Sequence, residues 1–464
     1  MVGPVQGRDS LRPKLIGWRV WSLAIAAMFV GTACGGGTSP GGSQKVAIPD
    51  KNASGTLQIW GFGDDNVTAK SRLDAFKAAY PSVKIELTPG SLDPQKFLSA
   101  VAAGAPPDLV NLNRAKLSTY ANRNALTPLD DYFSAAKLDT NQFRSAAMKP
   151  LQVNGKTYGV PEFNNVIVAY VNNKALKDAG AQLSDVDFSN WQKLSDLNRK
   201  LSKMGPDGKP QRVGVDPKLP EFTPLWVYGN NGRIISDDGK KAMLDSKQTV
   251  DAVSYAAGLR DAYGGQQAYD GYSQSWDIFG KANPLAADQL GVTLFEQWWL
   301  ATIGKVSPDA DFSIVPFKGR NGKELTYADG NSWAVPRGSK NAGLATAFMK
   351  FMTDPDTWVL AAKANVAGLK GGVFTGIYTA NTKADKRIFA EVYKASGKAS
   401  FDDAVKVFQR IQDEAVTLPP SAAGNEVVQD YTDAVRNVLL KRQPADAAMR
   451  SGNQKIQAAL TNPG

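Results

Sequence analysis

From Thr56 to Leu112 the chain switches repeatedly between two hydrophobic periods, and that alternation leaves few folds open. Thr56-Leu57-Gln58-Ile59-Trp60-Gly61 reads as a strand closed by a glycine. A helix with apolar Leu73, Phe76 and Ala79 follows and ends at Tyr80-Pro81. Val83 to Leu87 alternates as a second strand, and an amphipathic helix carrying Phe97, Leu98 and Val101 runs into Gly104-Ala105-Pro106-Pro107. Asp108 to Leu112 is the third strand. The order β-α-β-α-β predicts a doubly wound α/β layer that takes ligands at the carboxyl ends of its strands. The same alternation continues, with strands expected at 166–171, 291–295 and 311–315 and helices at 191–203, 249–263 and 344–352, before a mainly helical end. The body from Gly55 onward is too long for one compact core, so two lobes are expected.

The amino terminus is of another kind. Arg8, Arg12, Lys14 and Arg19 precede an apolar run from Val20 to Val30, then small residues Gly31-Thr32-Ala33 and the only cysteine of the chain, Cys34. Charge, a short apolar core and a small-residue cleavage zone make a secretory signal, and the run is too short to span a bilayer. The segment resembles a bacterial lipoprotein signal, with Gly31 where such signals usually carry Leu or Val, which implies lipidation of Cys34 after removal of residues 1–33. An ordinary secretory signal with an incidental cysteine is the alternative. No second cysteine exists to pair with Cys34. The Gly/Ser-rich stretch after it reads as a flexible tether over 34–54, long enough to hold the body just off the outer face of the cytoplasmic membrane.

Composition removes most chemistry. There is no histidine, so neither a Ser-His-Asp nor a Cys-His nucleophile system can form, nor a His-based zinc site. Neither a GxxxxGK[ST] loop nor a GxGxxG turn after a strand is present. Carboxylate, Lys or Tyr chemistry is all that remains for an enzyme, and no cofactor or metal is expected. Asp185/Asp187 and Asp237-Asp238 lack the loop an EF-hand calcium site requires. Taking the signal's four basic residues and Asp9 from 54 and 44 leaves 50 and 43, a net charge of +7. These charges are scattered rather than blocked, which argues for solvated surface and against nucleic acid.

Several short stretches, in order, carry a resemblance. They are Leu57-Gln58-Ile59-Trp60, Gly104-Ala105-Pro106-Pro107-Asp108-Leu109-Val110, Leu126-Thr127-Pro128-Leu129-Asp130 and Tyr158-Gly159-Val160-Pro161. Tyr170-Val171-Asn172-Asn173-Lys174, Asn231-Gly232-Arg233, Trp333-Ala334-Val335-Pro336-Arg337 and Phe348-Met349-Lys350-Phe351-Met352 follow. Together they resemble the extracytoplasmic solute-binding proteins of carbohydrate ABC transporters, the group that contains the maltose-binding protein. The resemblance implies two α/β lobes joined by a hinge the chain crosses three times, near Thr127, Asp329 and Pro355. The lobes would be 55–127 with 329–354 and 128–328 with 355–464. Sugar would sit in the cleft between them, and the lobes would close over it before delivery to a membrane permease. A monomer is expected.

A neutral sugar needs paired donors and acceptors for its hydroxyls and flat aromatic surfaces for its C–H faces. Asp64 and Asp65, with Asn66, match the family position after the first strand, although Asp or Asn before a helix also caps it without any ligand. Asn111, Asn113 and Arg114 follow the third strand, where a lobe-stabilising salt bridge is the other reading. Glu162, Asn164 and Asn165 follow Gly159-Val160-Pro161 and read as ligand groups. Glu296 and Trp298 end the 291–295 strand, where the family places an aromatic platform; Trp299 reads as its core neighbour. Trp333, beside Asp329-Gly330-Asn331-Ser332, is either a cleft residue or hinge packing. Two rivals stay open: a receptor for a glycerophosphodiester or a polyamine, and an exported glycoside hydrolase built on two of Glu162, Glu296 and Asp64.

Overall fold

The computed structural model of the chain describes residues 46–463. Cys34, the signal and most of the expected tether lie outside them. The packed body starts earlier than Gly55, because Ile48 and Ala53 already rest against the first core.

One mixed sheet has the order β2-β1-β3-β13-β6, built from β1 (Gly55–Trp60), β2 (Val83–Thr88), β3 (Leu109–Asn113), β6 (Val160–Pro161) and β13 (Asn331–Ala334). The first three strands run parallel, as the β-α-β-α-β pattern requires, and β13 returns antiparallel to β3. A hairpin of β4 (Gln152–Val153) and β5 (Lys156–Thr157) lies just before β6. Leu57 and Ile59 of β1 point inward to meet Phe76, Leu109, Val110, Trp333 and Phe348. Gly61 ends β1 at φ +84°, and a Cβ there would stand 2.1 Å from the Asn111 carbonyl oxygen, so only glycine lets the chain turn beside β3.

The second sheet runs β14-β12-β7-β10-β9-β8, with β11 also pairing β7. Its strands are β7 (Asn165–Asn172), β8 (Lys203–Met204), β9 (Pro210–Asp216), β10 (Leu290–Glu296), β11 (Phe312–Val315), β12 (Thr326–Asp329) and β14 (Ala415–Val416). Strand β7 is apolar throughout because both its faces are covered. Ile167, Ala169 and Val171 enter one core, while Val166, Val168 and Tyr170 enter another on the opposite face. Helices sit on both faces, including Trp298–Val306 and Ala399–Ile411 against Tyr170 and Phe312.

The chain passes between the sheets at Glu162–Asn165, from β6 to β7, and at Asp329–Asn331, from β12 to β13. The first passage differs from the expected one at Thr127. Leu129, Phe133, Met148, Leu151 and Val153 all pack into the first core, so the chain stays with that lobe for another thirty-odd residues. Sequence does not expose this, since an apolar helix fits either core equally well. The helix Pro355–Gly368, expected with the second lobe, packs against the first-lobe helix Val67–Ala79.

A buried ion pair pins the first passage. Arg72, on the helix Val67–Ala79, donates through Nη2 to Glu162 Oε1 at 2.7 Å and through Nη1 to the Met352 carbonyl at 3.0 Å. Its guanidinium lies 3.9 Å from the centre of the Trp358 ring. Glu162 Oε2 accepts from Asn111 Nδ2 at 2.9 Å, and Asn331 Nδ2 donates to Asn111 Oδ1 at 2.8 Å, which links both passages in one network. Burial pulls the Arg72 pKa down and Glu162 pulls it back up. Removing one partner of such a pair strands a charge in the interior and costs about 3–5 kcal/mol. Glu162→Gln is therefore expected to lower the thermal midpoint by several degrees, and the double change Arg72→Met with Glu162→Leu to recover much of that loss. A Glu162→Gln midpoint equal to wild type would show that the pair is not under load.

Candidate functional site

The carboxyl ends of β9 and β10, the start of β7 and the end of β12 share one edge of the second sheet, the edge that faces the passages. Three of the expected residues meet there. Glu296 accepts from the indole Nε1 of Trp298 and from Asn165 Nδ2 at 3.5 Å. Gln297 Nε2 donates to Asn165 Oδ1 at 3.1 Å, while its Oε1 accepts from the Val166 amide at 2.7 Å. The ring of Trp298 is half-buried, set edge-on against Phe295 at 5.2 Å and nearly parallel to Phe279 at 5.9 Å. Trp299 is fully buried and donates to the Ile278 carbonyl at 3.1 Å, which separates core tryptophan from rim tryptophan as the sequence suggested.

Other expected residues serve elsewhere. Asp64 and Asp65 are exposed on the turn after β1, and Asn66 caps the following helix by accepting from the Ala69 amide at 2.9 Å. Asn113 caps the helix Arg114–Asn122 and donates to Asp329 Oδ2 at 2.7 Å, a contact between the two sheets. Arg114, 1% exposed, donates to the Phe163 carbonyl at 2.6 Å and to Asn164 Oδ1 at 3.2 Å, and Asn164 donates in turn to Gln412 Oε1 at 2.6 Å. Burial pushes the Arg114 pKa down to about 10 against the pull of Asp329, which leaves it cationic at neutral pH. Asn111, Arg114, Glu162 and Asn164 are thus buried hinge groups with partners inside the protein, a correction to their reading as cleft groups. Trp333 is corrected likewise: it is 0% exposed in the first core, between Phe62 at 4.9 Å and Phe348 at 5.4 Å. At Gly330, φ +151°, a Cβ would lie 2.6 Å from the Phe163 carbonyl oxygen, so the two passages approach too closely for a side chain.

Three neighbours of the cluster carry no sequence signal. Lys218 lies 4.5 Å over the Phe295 ring and 3.4 Å from Glu221, and Phe279 is exposed beside Trp298. The order of the strands in the sheet brings them together, and no spacing along the chain announces it. Among the described residues no group of His, Cys, Asp and Glu could hold a metal ion, and no helix is long and apolar enough to cross a membrane.

A family model described as bacterial extracellular solute-binding protein matches residues 71–391. This chain belongs to that family. Among relatives of the solute-binding protein is the diacetylchitobiose binding protein DasA of Streptomyces coelicolor, 25% identical over 352 residues, 74% of this chain and 80% of DasA. Among solved structures, CpMnBP1 with mannobiose bound aligns at a TM-score of 0.72 and 22% identity, over 86% of this chain and 99% of that one. An ABC substrate-binding protein of Listeria monocytogenes in complex with cycloalternan aligns at 0.71 and 16% identity, over 88% and 100%. These likenesses fix the fold, that of the maltose-binding-protein-like binding proteins, with two α/β lobes.

Glu296 has a measurable electrostatic consequence. Burial raises its carboxyl from an ordinary 4.5 to about 7; the Trp298 indole opposes this, Asp329 and Glu221 add to it, and Asn165 opposes it weakly. The folded protein therefore keeps this proton up to about pH 7, whereas the unfolded chain releases it near 4.5. Between those values the folded state binds more protons, so this group's contribution falls as pH rises and levels off above the window. The full effect is on the order of 3 kcal/mol, at ~1.4 kcal/mol per unit. Glu296→Gln is expected to flatten the decline in stability between pH 4.5 and 7, measured by denaturant melts across that range. Parallel pH curves for variant and wild type would count against the assignment.

Proposed function

We propose that this chain is a lipid-anchored sugar receptor that delivers a mono- or oligosaccharide to an ABC importer, without turning it over. The observation that carries the reading is the half-buried Trp298 ring, held by Glu296 at the carboxyl end of β10 on the edge facing the hinge. An aromatic face fixed beside carboxylate and amide groups suits the C–H face and hydroxyls of a pyranose. DasA is named for diacetylchitobiose and CpMnBP1 carries mannobiose, which supports a carbohydrate for this family member too. Asn165 and Glu296 would take hydroxyls from the second lobe, and Asp64 and Asp65 from the first. The lobes, 46–162 with 331–368 against 165–329 with 399–461, would rotate about Glu162–Asn165 and Asp329–Asn331.

Glu162 is spent on Arg72, which leaves a glycoside hydrolase only the half-buried Glu296 and the exposed Asp64 of the carboxylates that the sequence offered. Reducing sugar released from oligosaccharides would restore that rival. The direct test is a thermal-shift panel of mono- and disaccharides, amino sugars, glycerophosphodiesters and polyamines on purified protein. A ligand at 100 times its Kd adds about 2.7 kcal/mol, a shift of several degrees. Trp298→Ala is expected to abolish the sugar shift and to leave the unliganded midpoint within a few degrees of wild type. Stabilisation by phosphodiesters or polyamines alone would replace the sugar and keep the receptor.

Lipidation of Cys34 places the protein on the outer face of the cytoplasmic membrane, beside its permease. Cys34→Ser is expected to abolish incorporation of a clickable palmitate analogue and to release the protein to the medium in fractionated cells. Unchanged membrane retention would refute the anchor.

A further inference from the structure

Phe279 departs from the rule that large apolar side chains are buried. It is 67% exposed, the most exposed of the large hydrophobics among the described residues. An exposed phenylalanine forgoes the stabilisation that burial would supply. Nothing in its local structure forces it outward, because its neighbours are tied down. The Ile278 carbonyl accepts from the Trp299 indole at 3.1 Å, and the Gly280 amide donates to the Asp277 carbonyl at 3.3 Å. Trp276 packs edge-on against Tyr269 at 5.7 Å and Tyr272 at 5.9 Å. The turn is anchored on both sides of Phe279, and the ring is presented from a fixed base.

That ring continues a line. Phe295 is buried at the end of β10, Trp298 is half-buried, and Phe279 is exposed, so three aromatic rings step outward from the core to solvent. Phe279 and Trp298 are 14° from parallel with centroids 5.9 Å apart. A sugar held between two rings needs them roughly 7–8 Å apart, twice the ~3.5–4.0 Å contact distance of carbon atoms. The two rings are too close to be a clamp. They stack in an offset step, each partly over the other, and Phe279 leaves its outer face bare to solvent.

We infer that Phe279 is the platform of a second sugar subsite beside Trp298, which makes the receptor selective for chains of at least two pyranose units. The inference rests on the sugar-receptor reading above and adds chain length to it. Selectivity arises because a monosaccharide on Trp298 leaves the Phe279 face bare, while a disaccharide covers both.

The test is isothermal titration of wild type, Phe279→Ala and Phe279→Tyr with three ladders: mannose to mannotriose, glucose to maltotriose, and N-acetylglucosamine to diacetylchitobiose. In the ladder that wild type binds, the disaccharide is expected to bind more tightly than the monosaccharide. Phe279→Ala should weaken the disaccharide by about three- to tenfold, the worth of one aromatic contact, and change the monosaccharide by less than about twofold. Phe279→Tyr keeps the ring face and should restore disaccharide affinity. Equal losses for both lengths, no loss, or a wild type that prefers the monosaccharide would overturn the Phe279 subsite while leaving the receptor intact. A wild type that binds no member of any ladder would overturn the sugar reading and this inference with it.

Discussion

The Arg72–Glu162 ion pair fixes the points at which the chain leaves and re-enters the first lobe. Both side chains are removed from water, which is costly, and the cost is offset only because every available atom has a partner. Glu162 spends one oxygen on Arg72 and the other on Asn111, whose amide oxygen is taken by Asn331. Arg72 reaches the end of the helix Ala342–Thr353 through Met352 and lies on Trp358 of the next helix. One guanidinium thus fixes both passages between the sheets relative to three helices. Apolar packing alone would hold these strand ends in the first core without fixing their direction, whereas hydrogen bonds of this geometry select one arrangement.

Beyond that anchor, polar side chains tie the two passages to each other. Arg114 holds the Phe163 carbonyl and Asn164, Asn164 holds Gln412, and Gly330 leaves no space between the strands. Asn113 and Asp329 join the two sheets directly, and Arg123 with Glu426, Arg144 with Asp413 and the packing of helix Arg114–Asn122 on helix Gly424–Leu439 join the lobes around them. Any rotation of the lobes about these passages would leave their cores intact, because packed cores resist continuous deformation. The second sheet carries the candidate binding cluster at the edge where such a rotation would change its exposure most.

Much of the fold was legible from hydrophobic period. Strands β1, β2, β3, β7 and β10 all lie where the alternation put them, because each is short, apolar and bounded by Gly, Pro or polar residues. The both-sided burial of β7 explains its unbroken apolar run. The lobe boundary at Thr127 was not legible, since residues 129–153 could have packed on either core and only the hairpin β4–β5 and strand β6 commit them to the first. Of the candidate cluster, Glu296 and Trp298 were legible as neighbours because a strand-end tryptophan beside a carboxylate is a local pattern. Phe279 and Lys218 were missed because they reach the same edge from distant turns.

The harder distinction is between Glu162 and Glu296. Each is a glutamate at a strand end, and in sequence the two are equivalent. The fold answers one with a full positive charge and the other with neutral donors, next to the further carboxylates of Asp329 and Glu221. A carboxylate paired with arginine has no use for a ligand. One held only by an indole and an amide, in a neighbourhood already negative, holds its proton up to about pH 7 and retains unused hydrogen-bonding capacity. Sugar hydroxyls both donate and accept, so they can use this capacity in either protonation state without adding charge. The residue whose burial is least compensated by the protein is thus the one best placed to gain from a ligand, and Trp298, fixed by the same carboxylate, supplies the face on which that ligand would rest.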